Sequence, residues 1–190
     1  IVLFPAAIGM LVLAKEVILI YGGSKYLDAI PMLKVFAIYI ITLGFETILS
    51  NQVMYIRGKE KEQVKITFIG GAVNLILNVT LLWTGYFNGT NAVITTMLAN
   101  IVVIILEYLY IKFVMNLAFN IFSLDKMKYL AISLLFIPIT YFIGKFISGV
   151  ILFTLAVMII NPLVYFLILL VIKDDCLLEI INKFTKKLKR

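Results

Sequence analysis

The sequence lacks histidine, has a single cysteine and carries few charged residues. None of its 190 residues is His, Cys176 is its one cysteine, and 14% of the residues are charged. Without His, these residues can build neither a histidine acid–base catalyst nor a Ser-His-Asp or Cys-His nucleophile. One cysteine also excludes an internal disulfide framework and leaves no credible zinc or copper site. We therefore expect no metal site.

Apolar residues dominate instead. They make up 63% of the chain, and the mean hydropathy is +1.11. The apolar runs are about as long as the roughly 20 residues that a membrane helix needs. They are continuous rather than alternating, which favours helices over the strands of a barrel. The fold class predicted is all-α, a polytopic transmembrane helical bundle with about six spans at residues 1–21, 31–55, 64–84, 91–114, 129–147 and 149–172.

The net charge of +7 comes from Lys and Arg between the spans. Thirteen of the 17 cationic residues fall after the second, fourth and sixth predicted spans, whereas the alternate loops hold only Lys25 and Lys145. Cytoplasmic loops of membrane proteins carry an excess of Lys and Arg. We therefore expect these loops and the C-terminus to be cytoplasmic, and no nucleic-acid partner.

The tail after the last span has a pattern of its own. Asp174 and Asp175 suit the start of a helix, and the Lys residues that follow suit its end. Four apolar residues lie on one helical stripe: Leu177, Ile181, Phe184 and Leu188. This pattern predicts an amphipathic helix at the membrane interface, bound to anionic lipid headgroups. A helix that docks a partner protein is the alternative.

Several ionisable residues fall inside the predicted spans, where a charge is costly. Lys15 and Glu16 lie in the outer half of the first span, and each either meets a partner on another helix or reaches the interface. Glu46 shares one helix face with Thr42 and Ser50. That polar stripe indicates either a hydrated cavity or hydrogen bonds to a neighbouring helix.

The third span carries small and polar residues at a spacing of four. Gly70, Asn74 and Asn78 share one face, which predicts close helix packing with hydrogen bonds across the interface, or else a polar lumen. In the fourth span, Glu107 lies near the predicted cytoplasmic end. We expect its carboxylate to reach the membrane interface.

Several short motifs follow one another in a set order along residues 1–115. They are Phe4-Pro5-Ala6-Ala7-Ile8-Gly9-Met10, Leu13-Ala14, Tyr21-Gly22 with Tyr26, Gln52-Val53, Arg57-Gly58-Lys59-Glu60-Lys61, Asn74 with Asn78, and Thr90-Asn91-Ala92 to Thr96. Their order and spacing resemble the MATE-like transporter superfamily and favour its polysaccharide repeat-unit flippases. In the last block the match is imperfect, since Thr90 and Asn91 replace the usual Gly and Ala.

The resemblance implies the C-terminal portion of a 12–14-helix transporter. Residues 1–115 would form the later part of the second lobe, residues 116–172 two additional spans, and residues 173–190 a basic cytoplasmic tail. Such proteins are not enzymes and need no cofactor. They flip polyprenyl-diphosphate-linked oligosaccharides across the bacterial cytoplasmic membrane by alternating access, and polysaccharide polymerases and glycosyltransferases are expected partners.

Under this resemblance, the candidate residues for a substrate lumen or a coupling-ion site are Lys15, Glu16, Glu46, Asn74 and Asn78. Two other functions stay open. A cation-coupled multidrug antiporter of the same superfamily would use Glu46 as its buried acid. A non-transporting scaffold for envelope synthesis would depend on the basic tail.

Overall fold

The computed structural model describes residues 1–117 and 124–188, and these residues form helices with no strand among them. This confirms the all-α fold class. The α-helices of this described part are α1 (Leu3–Val12), α2 (Ala14–Tyr21), α3 (Ile30–Thr47), α4 (Glu60–Trp83), α5 (Gly89–Leu109), α6 (Leu124–Leu134), α7 (Phe136–Phe146), α8 (Val150–Val171) and α9 (Asp175–Leu188).

Within residues 1–117 and 124–188, five continuous helical segments are long and apolar enough to cross a membrane. They lie close to the predicted spans, and a sixth span exists if α1 and α2 are counted as one. The five segments are Ser24–Arg57, Glu60–Trp83, Gly89–Val114, Asp125–Phe146 and Val150–Val171. The chain is therefore a multi-pass helical membrane protein.

The first predicted span is bent rather than straight. The axes of α1 and α2 differ by 67°. At Leu13, between them, the backbone leaves the helical region with φ −97° and ψ 9°. Hydropathy measures only how apolar a segment is, so it could not reveal this break.

Large apolar side chains are exposed along the outer faces of the helices. Trp83 is 87% exposed, Phe68 is 79% exposed, and many Leu and Ile side chains are similarly uncovered. Soluble proteins rarely expose contiguous apolar surface on this scale. In a bilayer such side chains meet hydrocarbon, so their exposure supports a lipid environment.

The described residues form two compact units. The first unit combines residues 1–23 with residues 124–188, and the second contains residues 24–117. In the first unit α1 packs on α6, α7 and α8, and Tyr165 of α8 donates a hydrogen bond to the carbonyl of Ile1 at 2.7 Å. The predicted functional division at residues 115 and 172 stays a prediction.

In the second unit α5 is the central helix, because it packs on both α3 and α4. Gly70 of α4 makes close approach possible, since a Cβ at this position would lie only 2.2 Å from Cγ2 of Val103 on α5. This contact confirms the packing function predicted for the small residue. Glycine at the next position, Gly71, has no neighbour within 4 Å of such a Cβ.

Asp174 fixes the start of α9 in the first unit. Its buried carboxylate accepts a hydrogen bond from the backbone N–H of Leu177 at 2.9 Å, as an N-cap does. It also accepts a hydrogen bond from the Tyr129 hydroxyl at 3.0 Å and forms an ion pair with Lys128, both on α6. The predicted helical tail is confirmed. The side chains of Phe184, Lys186, Lys187 and Leu188 and the residues Lys189 and Arg190 lie outside the part described.

The contacts of Asp174 with Lys128, Tyr129 and Leu177, which we call the α9 anchor, depend on pH through the protonation of Asp174. Burial disfavours its charged form, but Lys128, the N–H of Leu177 and the Tyr129 hydroxyl outweigh burial and hold the pKa of Asp174 below its ordinary value. A carboxylate with a lowered pKa stabilises the folded state above its unfolded pKa, which is about 4. This stabilisation is lost as the pH falls through the folded pKa.

We expect the substitution D174N to loosen α9. Asparagine is an equally good N-cap, so the substitution removes mainly the charge that pairs with Lys128. A nitroxide label on the exposed Cys176 reports on the first turn of α9, and its mobility should increase in D174N and, in the wild type, below about pH 4. The matched control D175N changes an exposed neighbour and should leave the label unaffected. Equal mobility in both variants would contradict the anchor.

Candidate functional site

A hydrogen bond between a carboxylate and an amide joins α3 to α5 inside the second unit. Nδ2 of Asn100 donates to Oε2 of Glu46 at 2.6 Å. Glu46 is half-buried, Asn100 is buried, and Ser50, four residues after Glu46 in the segment Ile48–Met54 that continues α3, is buried as well. Of the two interpretations of the Thr42, Glu46 and Ser50 stripe, the structure thus shows a hydrogen bond to a neighbouring helix at Glu46.

Glu107 contradicts the sequence-based expectation. We expected its carboxylate to reach the interface, but the residue is 0% exposed. Seven residues separate it from the end of its span at Val114, which is about 10 Å along the helix axis. The packing of α5 on two helices covers the face that carries Glu107, so the side chain cannot reach the interface.

The surroundings of Glu107 are apolar. Val103 stands four residues before Glu107, and Ile111 stands four residues after it, in the segment Tyr110–Val114 that continues α5. The three side chains therefore lie on about the same face. Val103 and Ile111 are both buried and belong to a core cluster with Leu49 and Met54. Neither carboxylate oxygen of Glu107 has a hydrogen-bond partner among the described residues.

Asn100 belongs to the same face and has one free polar atom. It lies seven residues, or two helical turns, before Glu107. Its Nδ2 bonds Glu46, whereas its Oδ1 is buried and finds no partner in the described part of the chain. One stripe of α5 therefore carries two buried polar side chains with unsatisfied oxygen atoms.

Each carboxylate stands just before a π-helical turn. Glu46 precedes the π-helical segment Ile48–Met54, and Glu107 precedes the π-helical segment Tyr110–Val114. Such turns are rare and occur frequently at functional sites. We call Glu46, Asn100 and Glu107 the carboxylate cluster. Their position beside π-helical turns supports this cluster as the candidate site.

The two asparagines predicted on α4 form a separate network. Nδ2 of Asn78 donates to Oδ1 of Asn74 at 3.1 Å, and the Thr95 hydroxyl of α5 donates to Oδ1 of Asn78 at 2.8 Å. These bonds confirm the predicted hydrogen bonding across the helix interface. Any further contribution of Asn74 and Asn78 to a lumen stays a prediction.

Lys15 and Glu16 lie in the first turn of α2, in the first unit. Lys15 is exposed and Glu16 is half-buried. Their predicted roles as lumen or coupling residues stay predictions.

Sequence reasoning named Glu46 but missed Asn100 and misjudged Glu107. A signal was present, because Asn100, Val103, Glu107 and Ile111 follow one another at spacings of three and four. Such a stripe places both polar residues on the packed face of α5 as soon as Val103 and Ile111 are recognised as core.

The carboxylate cluster is not a conventional metal centre. Among the described residues, no group of three or more His, Cys, Asp or Glu side chains could hold a metal ion. An uncompensated charge on Glu107 would be costly in these surroundings, so this carboxylate requires a positive partner or a proton.

No family model, curated protein or solved structure matches this chain.

A double-mutant cycle tests the contact between α3 and α5. We expect E46A and N100A to be coupled by about 0.6–2 kcal/mol, the range measured for hydrogen bonds between membrane helices. Unfolding of the purified protein in mixed micelles supplies the free energies. Thr47 is an exposed neighbour whose hydroxyl bonds only the carbonyl of Leu43 on its own helix, so a cycle of T47A with N100A is the matched control. Coupling no larger than in this control would show that the contact is absent.

Proposed function

We propose that the protein is a membrane transporter. The observation that carries this proposal is the fully buried, unpartnered carboxylate of Glu107 beside the bonded pair of Glu46 and Asn100. Ionisable residues inside membrane helices are rare, costly and associated with substrate or ion pathways. A protein that serves only as a membrane anchor gains nothing from such a residue.

Within transporters, we propose a flippase for lipid-linked oligosaccharides. The support is the resemblance of residues 1–115 to the polysaccharide repeat-unit flippases, together with the multi-pass helical fold. Alternating access would carry the polar headgroup past the hydrocarbon, while the polyprenyl chain stays in lipid. The headgroup then avoids the large cost of bringing phosphates and sugar hydroxyls into hydrocarbon.

The same proposal assigns location and partners. The protein would lie in the cytoplasmic membrane of a bacterium with its C-terminus in the cytoplasm, as the distribution of Lys and Arg favours. It would catalyse no covalent reaction. A polymerase and glycosyltransferases of polysaccharide assembly would act beside it, and α9 would bind anionic headgroups through its basic residues.

A cation-coupled multidrug antiporter is the second candidate. Glu46 favours it, because this half-buried carboxylate on a membrane helix is the type of residue that such transporters use for ion binding. A scaffold for envelope synthesis is the third, and for this function the tail at residues 174–190 would be indispensable.

Deletion of the gene tests the flippase proposal. We expect lipid-linked oligosaccharide to accumulate on the cytoplasmic leaflet and surface polymer to be lost, and the wild-type gene should reverse both effects. E46Q should restore less polymer than the control E60Q, because Glu60 is an exposed residue of the first turn of α4. Lipid extraction and labelling of surface sugars measure both quantities.

The other outcomes separate the rivals. Normal polymer without accumulation of the lipid-linked precursor would overturn the flippase proposal, and a gain in drug sensitivity would then favour the antiporter. Complete loss of function on removal of residues 174–190, with E46Q fully active, would favour the scaffold.

A further inference from the structure

Glu107 is the one described acidic residue whose carboxylate is both fully buried and without any hydrogen-bond donor. Ionised carboxylates in proteins are normally hydrogen-bonded or paired with a cation, because an isolated charge in an apolar medium costs many kcal/mol. The free Oδ1 of Asn100, on the same face of α5, is an acceptor and cannot compensate a negative charge.

The charged groups around Glu107 do not supply a positive partner. Glu46 on α3 is the charged group whose field reaches Glu107, and it has the same sign. The cations of the neighbouring elements interact elsewhere. Arg57 donates to the carbonyl of Val53, Lys65 pairs with Glu62, and Lys112 lies over the rings of Tyr108 and Phe113.

The remaining cations on these elements are exposed to solvent or lipid: Lys34 on α3, Lys59 before α4 and Lys61 in the first turn of α4. The other ionisable groups, apart from the exposed Glu60, are phenols. They are Tyr39 on α3, Tyr55 after the first π-helical segment, and Tyr108 and Tyr110 near the end of α5. None of them can carry a positive charge, so they leave the charge of an ionised Glu107 uncompensated.

We propose that Glu107 is a proton-binding site inside the membrane. Its carboxyl group holds a proton in the structure described, so the contact between α3 and α5 carries one negative charge, on Glu46, instead of two. A metal ion is a poor occupant, because two carboxylates and one amide oxygen offer few ligands and the rest of the lining is apolar.

Release of the proton to water leaves a negatively charged carboxylate on Glu107. This charge changes the electrostatic interaction between α3 and α5. Both Glu46 and Glu107 then carry a negative charge, and their repulsion opposes the packing of the two helices. Glu107 thus acts as a pH-dependent control on the spacing of α3 and α5. That this control drives transport rests on the proposed function, whereas the binding of the proton does not.

Infrared spectroscopy of the whole protein in lipid nanodiscs tests the proposal. A protonated carboxyl group gives a C=O stretching band that is separate from the bands of ionised carboxylates. We expect this band at neutral pH in the wild type, in E46Q and in the exposed control E60Q, and its loss in E107Q. Glutamine resembles the neutral acid in size and charge, so E107Q should fold.

Thermal unfolding supplies a second measurement. A group that binds its proton more tightly in the folded state stabilises the fold at low pH and ceases to do so as the pH rises. We expect the wild type to lose stability progressively as the pH is raised above about 4, the pKa of Glu in an unfolded chain, and E107Q to lose less over the same range.

Three results would overturn the proposal. They are the absence of the band in the wild type at neutral pH, its persistence in E107Q, and its disappearance when sodium replaces potassium at constant pH. The last would show that a metal ion occupies the site. These measurements do not depend on transport activity. A failed flippase assay would therefore not contradict the proton site, and the absence of the proton site would not contradict the flippase proposal.

Discussion

Polar groups inside a bilayer must find their partners within the protein, because hydrocarbon supplies none. In the second unit, two hydrogen bonds between polar side chains satisfy this constraint across helix interfaces. Asn78 joins α4 to α5 through Thr95, and Asn100 joins α3 to α5 through Glu46. The central position of α5 follows, because both of its neighbours are attached to it by partly buried polar pairs as well as by apolar packing.

Glu107 is an exception, because its buried carboxyl group has no hydrogen-bond partner among the described residues. Its neighbours on α5 are core residues, and the helix packing prevents the side chain from reaching water. A neutral aliphatic side chain would fill the same space without the desolvation cost. We propose that a carboxyl group in such a place changes its protonation state during function, as the proposed transport would require.

The positions of the spans could be predicted from the sequence, because hydropathy over about 20 residues reflects the solvent directly. The fourth span, predicted at 91–114, is Gly89–Val114, and the third, predicted at 64–84, is Glu60–Trp83. The bend at Leu13 and the burial of Glu107 could not be predicted in this way. The bend is set by the backbone dihedrals of Leu13, and the burial of Glu107 depends on which face of its helix the neighbours cover. An average hydropathy carries neither kind of information.

Water access to position 107 tests the central claim most directly. In a C176S background, E107C and K112C each carry one cysteine on the same helical segment, the first at a buried position and the second at an exposed one. A small water-soluble thiol reagent, applied to the protein in membranes, should modify K112C rapidly and leave E107C unmodified. Equal rates would show that water reaches this position, which would contradict a dry, apolar environment for Glu107.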